Sequence, residues 1–352
     1  MTKKYFTRRL IIFLLIIFFI AGGILIWLFS SLNTKAAHDH AEDYVEIKYG
    51  TTTNQLIEIL KEKKIIQADV ATRLYLRFIN RKVKFQAGDF KFPSPVSPLE
   101  IIQILQKGKK RTQSFTVPEG WTRFEIAKKI ATQFPSEPPS SYEDILEMMG
   151  NTNSIKDFDD TATSLEGYLY PSTYQFEKST QAKAIINKMV HQFKVIWQPE
   201  WDTLAIKMNR TKREIVTIAS LIEAESKLAI ERPIIASVIY NRLERRIPLG
   251  IDATNVYIAK LQNRWDGIIH KSDIEVNHPY NTRKISGLPP GPINSPSKSA
   301  IEAALNPANT TYIYYVLNVI NGDGSHHFYT TSKEFIKGKK VYQKWLKEQR
   351  GN

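Results

Sequence analysis

The chain has 352 residues, with 49 Lys and Arg against 35 Asp and Glu, a formal charge of +14, and no cysteine. Disulfides, lipidated cysteines and thiolate metal sites are therefore excluded, and stability must come from packed cores. The length suffices for two or three domains. A basic balance points first to nucleic acid, but the N-terminus argues for anionic lipid headgroups or wall polymers, or for a solvated basic surface with no specific partner.

Lys3, Lys4, Arg8 and Arg9 precede an uncharged, almost wholly apolar stretch from Leu10 to Leu32. At helical rise this stretch covers roughly 34 Å, enough to cross a hydrocarbon core of about 30 Å. It is too long for a cleavable signal peptide, although Ala36 and Ala37 could mimic a cleavage site. The expectation is one transmembrane helix at 10–32 with residues 1–9 in the cytoplasm, because the basic residues precede the span. Residues 33–352 then lie outside the cytoplasmic (inner) membrane.

Residues 33–43 read as a polar linker, followed by alternation at Val45 and Ile47 that predicts a strand. Leu56, Ile57 and Leu60 put one apolar stripe on a helix over 53–62. A second helical run covers 68–79, and 87–92 reads as a short strand. Ser97, Pro98 and Glu100 open a further helix with a capping box; it carries Ile101, Ile102 and Leu105 and stops at Gly108. These elements predict a small α+β domain at 44–110.

After the basic run from Lys107 to Arg111, residues 115–117 read as a strand. Glu119-Gly120 turns into a helix capped by Thr122 and Glu125. Residues 135–141 form a Pro/Ser-rich loop. From Leu165 the chain becomes dense in Gly, Pro, Tyr and Asn, with two strong helices predicted at 212–226 and 232–246.

The helix at 212–226 draws attention because it is uncharged from Ile215 until Glu223. Ile215, Ile218, Ala219 and Ile222 form its buried stripe, and Glu223 sits at the stripe's edge. Burying an ionised carboxylate is costly, so such an acid protonates or finds partners. Two readings follow: a salt bridge to Arg232 or Arg242, or an acid able to protonate a leaving oxygen. Glu225 lies about 200° away around the helix, so the two carboxylates cannot aim at one bond. The loops His278-Pro-Tyr-Asn-Thr282 and Gly287-Leu-Pro-Pro-Gly-Pro-Ile293 carry amide, hydroxyl and aromatic groups that suit sugars, and equally serve as turns. No HExxH, GxSxG or phosphate-cradling glycine loop occurs, and the seven histidines form no metal pattern.

The ordered set of motifs resembles the endolytic murein transglycosylases, the YceG-like or MltG family. The matching segments begin with Glu119-Gly120, Leu165-Glu-Gly-Tyr-Leu-Tyr-Pro-Ser-Thr-Tyr174 and Ala219-Ser-Leu-Ile-Glu-Ala-Glu225. Glu231-Arg232, Ala236-Ser-Val-Ile-Tyr-Asn-Arg-Leu243, Asp252-Ala-Thr254 and Tyr280-Asn-Thr282 follow. Gly287 to Ile293, Asn306-Pro307 and Gly324-Ser-His-His-Phe328 complete the set. The resemblance spans essentially the whole chain and implies an α+β fold: an anchor, a LysM-like domain at 44–110 and a mixed α/β catalytic domain at 111–352.

The resemblance further implies lytic cleavage of the β-1,4 bond between N-acetylmuramic acid and N-acetylglucosamine in nascent peptidoglycan strands, leaving 1,6-anhydro ends. It places the catalytic acid/base at Glu223 and calls for no cofactor and no metal. Candidate substrate contacts are Glu166, Tyr168, Tyr174, Glu225, Asn241 and Arg242. Asp252, Thr254, Tyr280, Asn281, Thr282, Leu288 and Pro289 complete them. Partners implied are glycan strands, peptidoglycan synthases and the cytoplasmic membrane, with no nucleic acid. Family members often read Leu-Gln-x-Asp-Pro-Thr where this chain has Leu249-Gly-Ile-Asp-Ala-Thr254, and Asn294-Ser-Pro296 replaces a more usual Asn-Pro-Gly. A wall-binding scaffold of the same fold, without activity, is the alternative reading.

Overall fold

A computed structural model of the chain describes residues 2–48, 50–79, 85–107, 112–134 and 140–350. The helix stop expected at Gly108, the basic run beyond Lys107 and the Pro/Ser-rich loop up to residue 139 lie outside the described residues. The chain divides into two compact units, Met1–Gln113 and Ser114–Asn352.

In the first unit, α1 (Thr2–Asn33) contains a stretch, Ile12–Asn33, that is long and apolar enough to cross a membrane. Strand β1 (Val45–Ile47), helices α2 (Thr53–Glu62) and α3 (Asp69–Leu74) and strand β2 (Gly88–Phe90) follow, then α4 (Pro98–Lys107). β1 and β2 pair antiparallel, with Val45 opposite Phe90. The alternation read from the sequence puts Val45 and Ile47 into a core with Leu56, Leu60, Phe90, Phe92, Ile101 and Leu105. A capping box at Thr52 and Gln55 starts α2. The helical run expected through residue 79 is present, but its last five residues, Tyr75–Ile79, widen into a π-turn.

Residues 33–43 are not a free linker. Ala36 exchanges two backbone hydrogen bonds with Val96, each 3.0 Å. The His38 backbone N–H donates to Ser94 Oγ, and the His38 side chain is buried beside the Pro93 carbonyl. The polar residues satisfy backbone groups some 55 positions away, which no local window of sequence reveals.

The second unit has a single large core. Its elements are β3 (Thr112–Thr116), α5 (Arg123–Gln133), α6 (Tyr142–Gly150), β4 (Thr173–Glu177), α7 (Ala182–Ile196) and α8 (Pro199–Lys207). Then come α9 (Lys212–Glu225), α10 (Arg232–Glu244), α11 (Asp252–Leu261), α12 (Lys271–Glu275) and α13 (Lys298–Leu305). Strands β5 (Tyr314–Leu317) and β6 (His326–Tyr329) and helix α14 (Ser332–Arg350) close the chain. The described strands pair in twos, β3 with β4 and β5 with β6, and β5–β6 is antiparallel. Among the described residues the unit is a helix-dominated mix of helix and strand, with its strands in two-stranded pairs.

Helix α9 is the pillar of this unit, and α8, α10, α11 and α13 all pack on it. Every residue from Ile215 to Ile222 is buried, not only the expected stripe. A helix enclosed on all sides must be apolar all round, with its few polar groups bonded internally. Thr217 donates to the Arg213 carbonyl, and Ser220 Oγ donates to the Thr217 carbonyl while accepting from Ile293 N–H. A capping box at Thr211 and Glu214 fixes the start of the helix.

Candidate active site

Glu223 occupies the last turn of α9, with its side chain only 6% exposed. Its Oε1 accepts from Arg232 Nη2 at 3.1 Å, and its Oε2 accepts from the Ser297 N–H at 2.9 Å and from Ser297 Oγ. Of the two readings of this acid, the salt-bridge partner is Arg232; Arg242 serves elsewhere. Arg232 is itself buried, donates to Ser297 and Ser299, and lies 3.6 Å from the exposed Glu119 carboxylate.

Three segments converge to build this arrangement. Ser297 is the N-cap of α13, so its hydroxyl also accepts from Ala300 N–H. The chain leading into it is fastened to α9, because Asn294 Nδ2 donates to the Ser220 carbonyl at 2.9 Å. It is fastened equally to the loop before α5: Gly120 N–H donates to Ser295 O, and Ser295 N–H donates to Trp121 O. Gly120 has φ +75°, and a Cβ there would stand 3.8 Å from Glu223 Cγ. Glycine therefore leaves one side of the acid clear, next to Glu119.

Glu166 stands behind the same loop, 2% exposed. Both its oxygens accept from Arg123 N–H, at 3.1 and 3.2 Å, so it caps the start of α5. Burial pushes its carboxyl up to about 7, against the opposing charge of Arg123 and hydrogen bonds from the Arg123 amide and Tyr257. Gly167, with φ +83°, lets Pro292 pack so closely that an added Cβ would meet Pro292 Cγ at 2.3 Å. The segment containing Gly287 to Ile293 is thus seated on the Leu165–Tyr174 motif.

Glu225 points elsewhere, as its 200° offset from Glu223 predicts. It accepts from Tyr315 Oη at 2.7 Å on β5, and among the described residues the two acids share no hydrogen-bond partner. Burial raises the Glu225 carboxyl above its ordinary range and raises the Tyr315 hydroxyl further. Beside them, Glu231 accepts from the His326 backbone N–H and lies 2.8 Å from His326 Nδ1.

Several residues expected to contact substrate are bonded internally in this structure. Tyr168 is enclosed in the core, donating to Asp159 and meeting Phe193 edge to face. Tyr174 is buried and donates to the Tyr170 carbonyl. Thr254 and Thr282 are both buried, 3.0 Å apart, and Thr282 Oγ1 accepts from Ile251 N–H. Asn281 is buried and donates to the Ile274 and Val276 carbonyls. The motifs at 252–254 and 280–282 are thus fastened to one another through Thr254, Thr282 and Ile251, because buried hydroxyls and amides must be paired. Pro289 is buried as well, while Leu288 packs partly exposed on the core.

Asn241 donates to the Thr310 and Tyr312 carbonyls, and Arg242 to those of Ile313 and Leu249. Burial lowers the Arg242 guanidinium from its ordinary value. These residues hold the strand that carries Tyr315. Asp252 is exposed and paired with Arg283, and Tyr280 packs beside Tyr257. Gly250 has φ +62° and donates its N–H to Thr282 O, so it completes a turn there. Ser297 and Ser299 were not singled out by the sequence; the only local sign of Ser297 is a serine directly before a helical run, the usual N-cap pattern.

The unit is a helix-rich α+β fold in which a buried carboxyl is held between an arginine and a helix N-terminus, with the exposed Glu119 carboxylate beside the same arginine, an arrangement that can serve acid/base chemistry. The chain belongs to the YceG-like family, which matches residues 45–340. It is 32% identical over 342 residues to the endolytic murein transglycosylase of Bacillus subtilis (strain 168), covering 92% of this chain and 91% of that protein. The endolytic murein transglycosylase of Streptococcus pneumoniae serotype 2 is 28% identical over 310 residues, 79% of this chain and 54% of that protein. A crystal structure of a YceG-like protein from Listeria monocytogenes matches with a TM-score of 0.56 and 31% identity, over 84% of this chain and 98% of that one.

Proposed function

We propose that this protein is a membrane-anchored endolytic lytic transglycosylase acting on nascent peptidoglycan strands, with Glu223 as its sole acid/base. The observation that carries the reading is Glu223 itself, at the convergence of α9, α10 and the N-terminus of α13, in a chain alike over nine-tenths of its length to a named murein transglycosylase. The proposed units are the anchor at 10–32, a LysM-like domain at 44–110 and the catalytic domain at 111–352. The order β1, α2, α3, β2 supports the LysM-like reading. The basic residues ahead of the anchor support a cytoplasmic N-terminus and an extracytoplasmic site. Peptidoglycan synthases are the partners this placement suggests.

The reaction balances with one carboxyl. Protonated Glu223 gives its proton to the oxygen linking N-acetylmuramic acid C1 to N-acetylglucosamine C4 as the C1–O bond breaks. Positive charge develops at C1, the muramyl C6 hydroxyl closes on that carbon, and its proton returns to Glu223. No water is consumed, so the second carboxylate of ordinary glycosidases has no task. Both Glu223 oxygens are engaged in the free protein, so the oxygen that transfers the proton must exchange one partner when the glycan binds. Arg232 and Ser297 fix the carboxyl; Gly120 leaves its approach open.

The test uses the full chain in lipid nanodiscs with nascent glycan strands, and mass spectrometry of the strand ends. Anhydro-muramyl ends from the wild type and none from folded Glu223→Gln are expected. Reducing ends would mean a muramidase instead. Intact strands from folded wild type would favour the scaffold, which the changed 249–254 segment also permits.

A further inference from the structure

The first unit exposes an apolar stripe on the helix formed by α3 and its π-turn. Val70 is 56% exposed, Leu74 37%, Phe78 59% and Ile79 60%. Ala71, Thr72 and Leu76, on the opposite side of the same helix, are buried. Val70, Leu74 and Phe78 recur at a spacing of four, so they share one face. The Arg77 guanidinium stands over the Phe78 ring at 5.6 Å.

The depth of this helix relative to the anchor is fixed by structure. Ser30, Ser31 and Thr34 at the end of α1 line the same cavity of about 280 Å³ as Ile65, Ile66, Gln67 and Ala68, the residues that lead into α3. Helix α1 also packs against α3 and α4. Leu32 is buried, Ala36 bridges Val96, and Lys35 pairs with Glu100 at 2.6 Å. The apolar window of the anchor ends at Asn33. Helix α3 therefore starts beside the end of the anchor's apolar window. Between residues 61 and 77 the chain carries Lys61, Lys63, Lys64, Arg73 and Arg77 against Glu62 and Asp69.

We propose that this α3 face is seated in the headgroup and upper acyl region of the outer leaflet of the bilayer that α1 crosses. The inference rests on the anchor assigned under the proposed function and goes beyond it. A helix with apolar residues on one side and basic residues around it lies in the interface plane, gaining from buried apolar area and from attraction to anionic headgroups. Continuity with α1 identifies the occupant as lipid: α3 packs against the end of the anchor in the same compact unit, so an anchor seated in hydrocarbon brings this stripe to the boundary. The first unit is thereby held at a fixed height and tilt, by two contacts with the membrane.

The chain has no cysteine, so single spin labels can be placed at will. Full-length Val70→Cys, Leu74→Cys and Ile79→Cys, labelled with a nitroxide in phosphatidylglycerol-containing nanodiscs, report collision with oxygen and with a nickel chelate. Leu25→Cys marks the anchor, and exposed Glu143→Cys marks water. Labels at 70 and 74 should show an oxygen-to-nickel accessibility ratio several-fold above that at 143, approaching that at 25. A lipid-like ratio at 25 with a water-like ratio at 70 and 74 overturns the proposal and leaves the anchor standing, with the stripe in water; low collision with both reagents at 70 and 74 means a protein cover and overturns it too. Water-like ratios at 25 and at 70 and 74 overturn both.

Discussion

Replacing Glu166 by glutamine separates a carboxyl that builds the site from one that reacts in it. Burial holds the Glu166 carboxyl at about 7, against an ordinary 4.5 in the unfolded chain. Between these values the unfolded state has released its proton while the folded state keeps it, so stability falls as pH rises. At about 1.4 kcal/mol per pH unit, the interval from 4.5 to about 7 removes about 3–4 kcal/mol of stability. The contribution is fully present below 4.5 and is lost above about 7. Glutamine keeps one acceptor for Arg123 N–H and has no proton to lose. The measurement is urea unfolding of both proteins at a series of pH values. The wild type should fall progressively behind Glu166→Gln from pH 4.5 to 7, then keep a constant gap. The variant should also retain glycan cleavage. A gap that stays level with pH, or a wild type that gains stability relative to the variant, would refute the burial argument. A folded variant without activity would refute the capping role.

Three further outcomes follow from the same geometry. Ser297→Ala removes the α13 cap and a hydroxyl donor to Glu223, so it should cost about 1–3 kcal/mol in urea unfolding and lower kcat more than it changes KM. Gly167→Ala meets both a positive φ and the Pro292 ring, and a loss of about 2–5 kcal/mol is expected; a thermal midpoint equal to wild type would contradict the close approach. Tyr315→Phe leaves the buried Glu225 without its hydroxyl donor, which should lower stability by about 1–2 kcal/mol in chemical denaturation while strand cleavage persists.

What the sequence determined by itself was everything carried by local repetition. The apolar run of α1, the capping boxes of α4 and α5, and the angular separation of Glu223 from Glu225 follow from residue type and helical period alone. The isolation of Glu223 after eight uncharged residues marked the acid for the same reason. The partners of that acid were beyond such reasoning. Arg232 was one of two arginines that the sequence offered, and the packing of α10 on α9 decided between them. Ser297 lies 74 positions away and reaches Glu223 because Ser220 and Gly120 fasten its segment to two different elements. The hydroxyl- and amide-rich motifs around Thr254, Asn281 and Thr282 were ambiguous, since the same groups bind a sugar when exposed and one another when buried. Burial is a property of the closed core, so tertiary structure alone turned those residues inward and left Glu223, beside Gly120, at the edge.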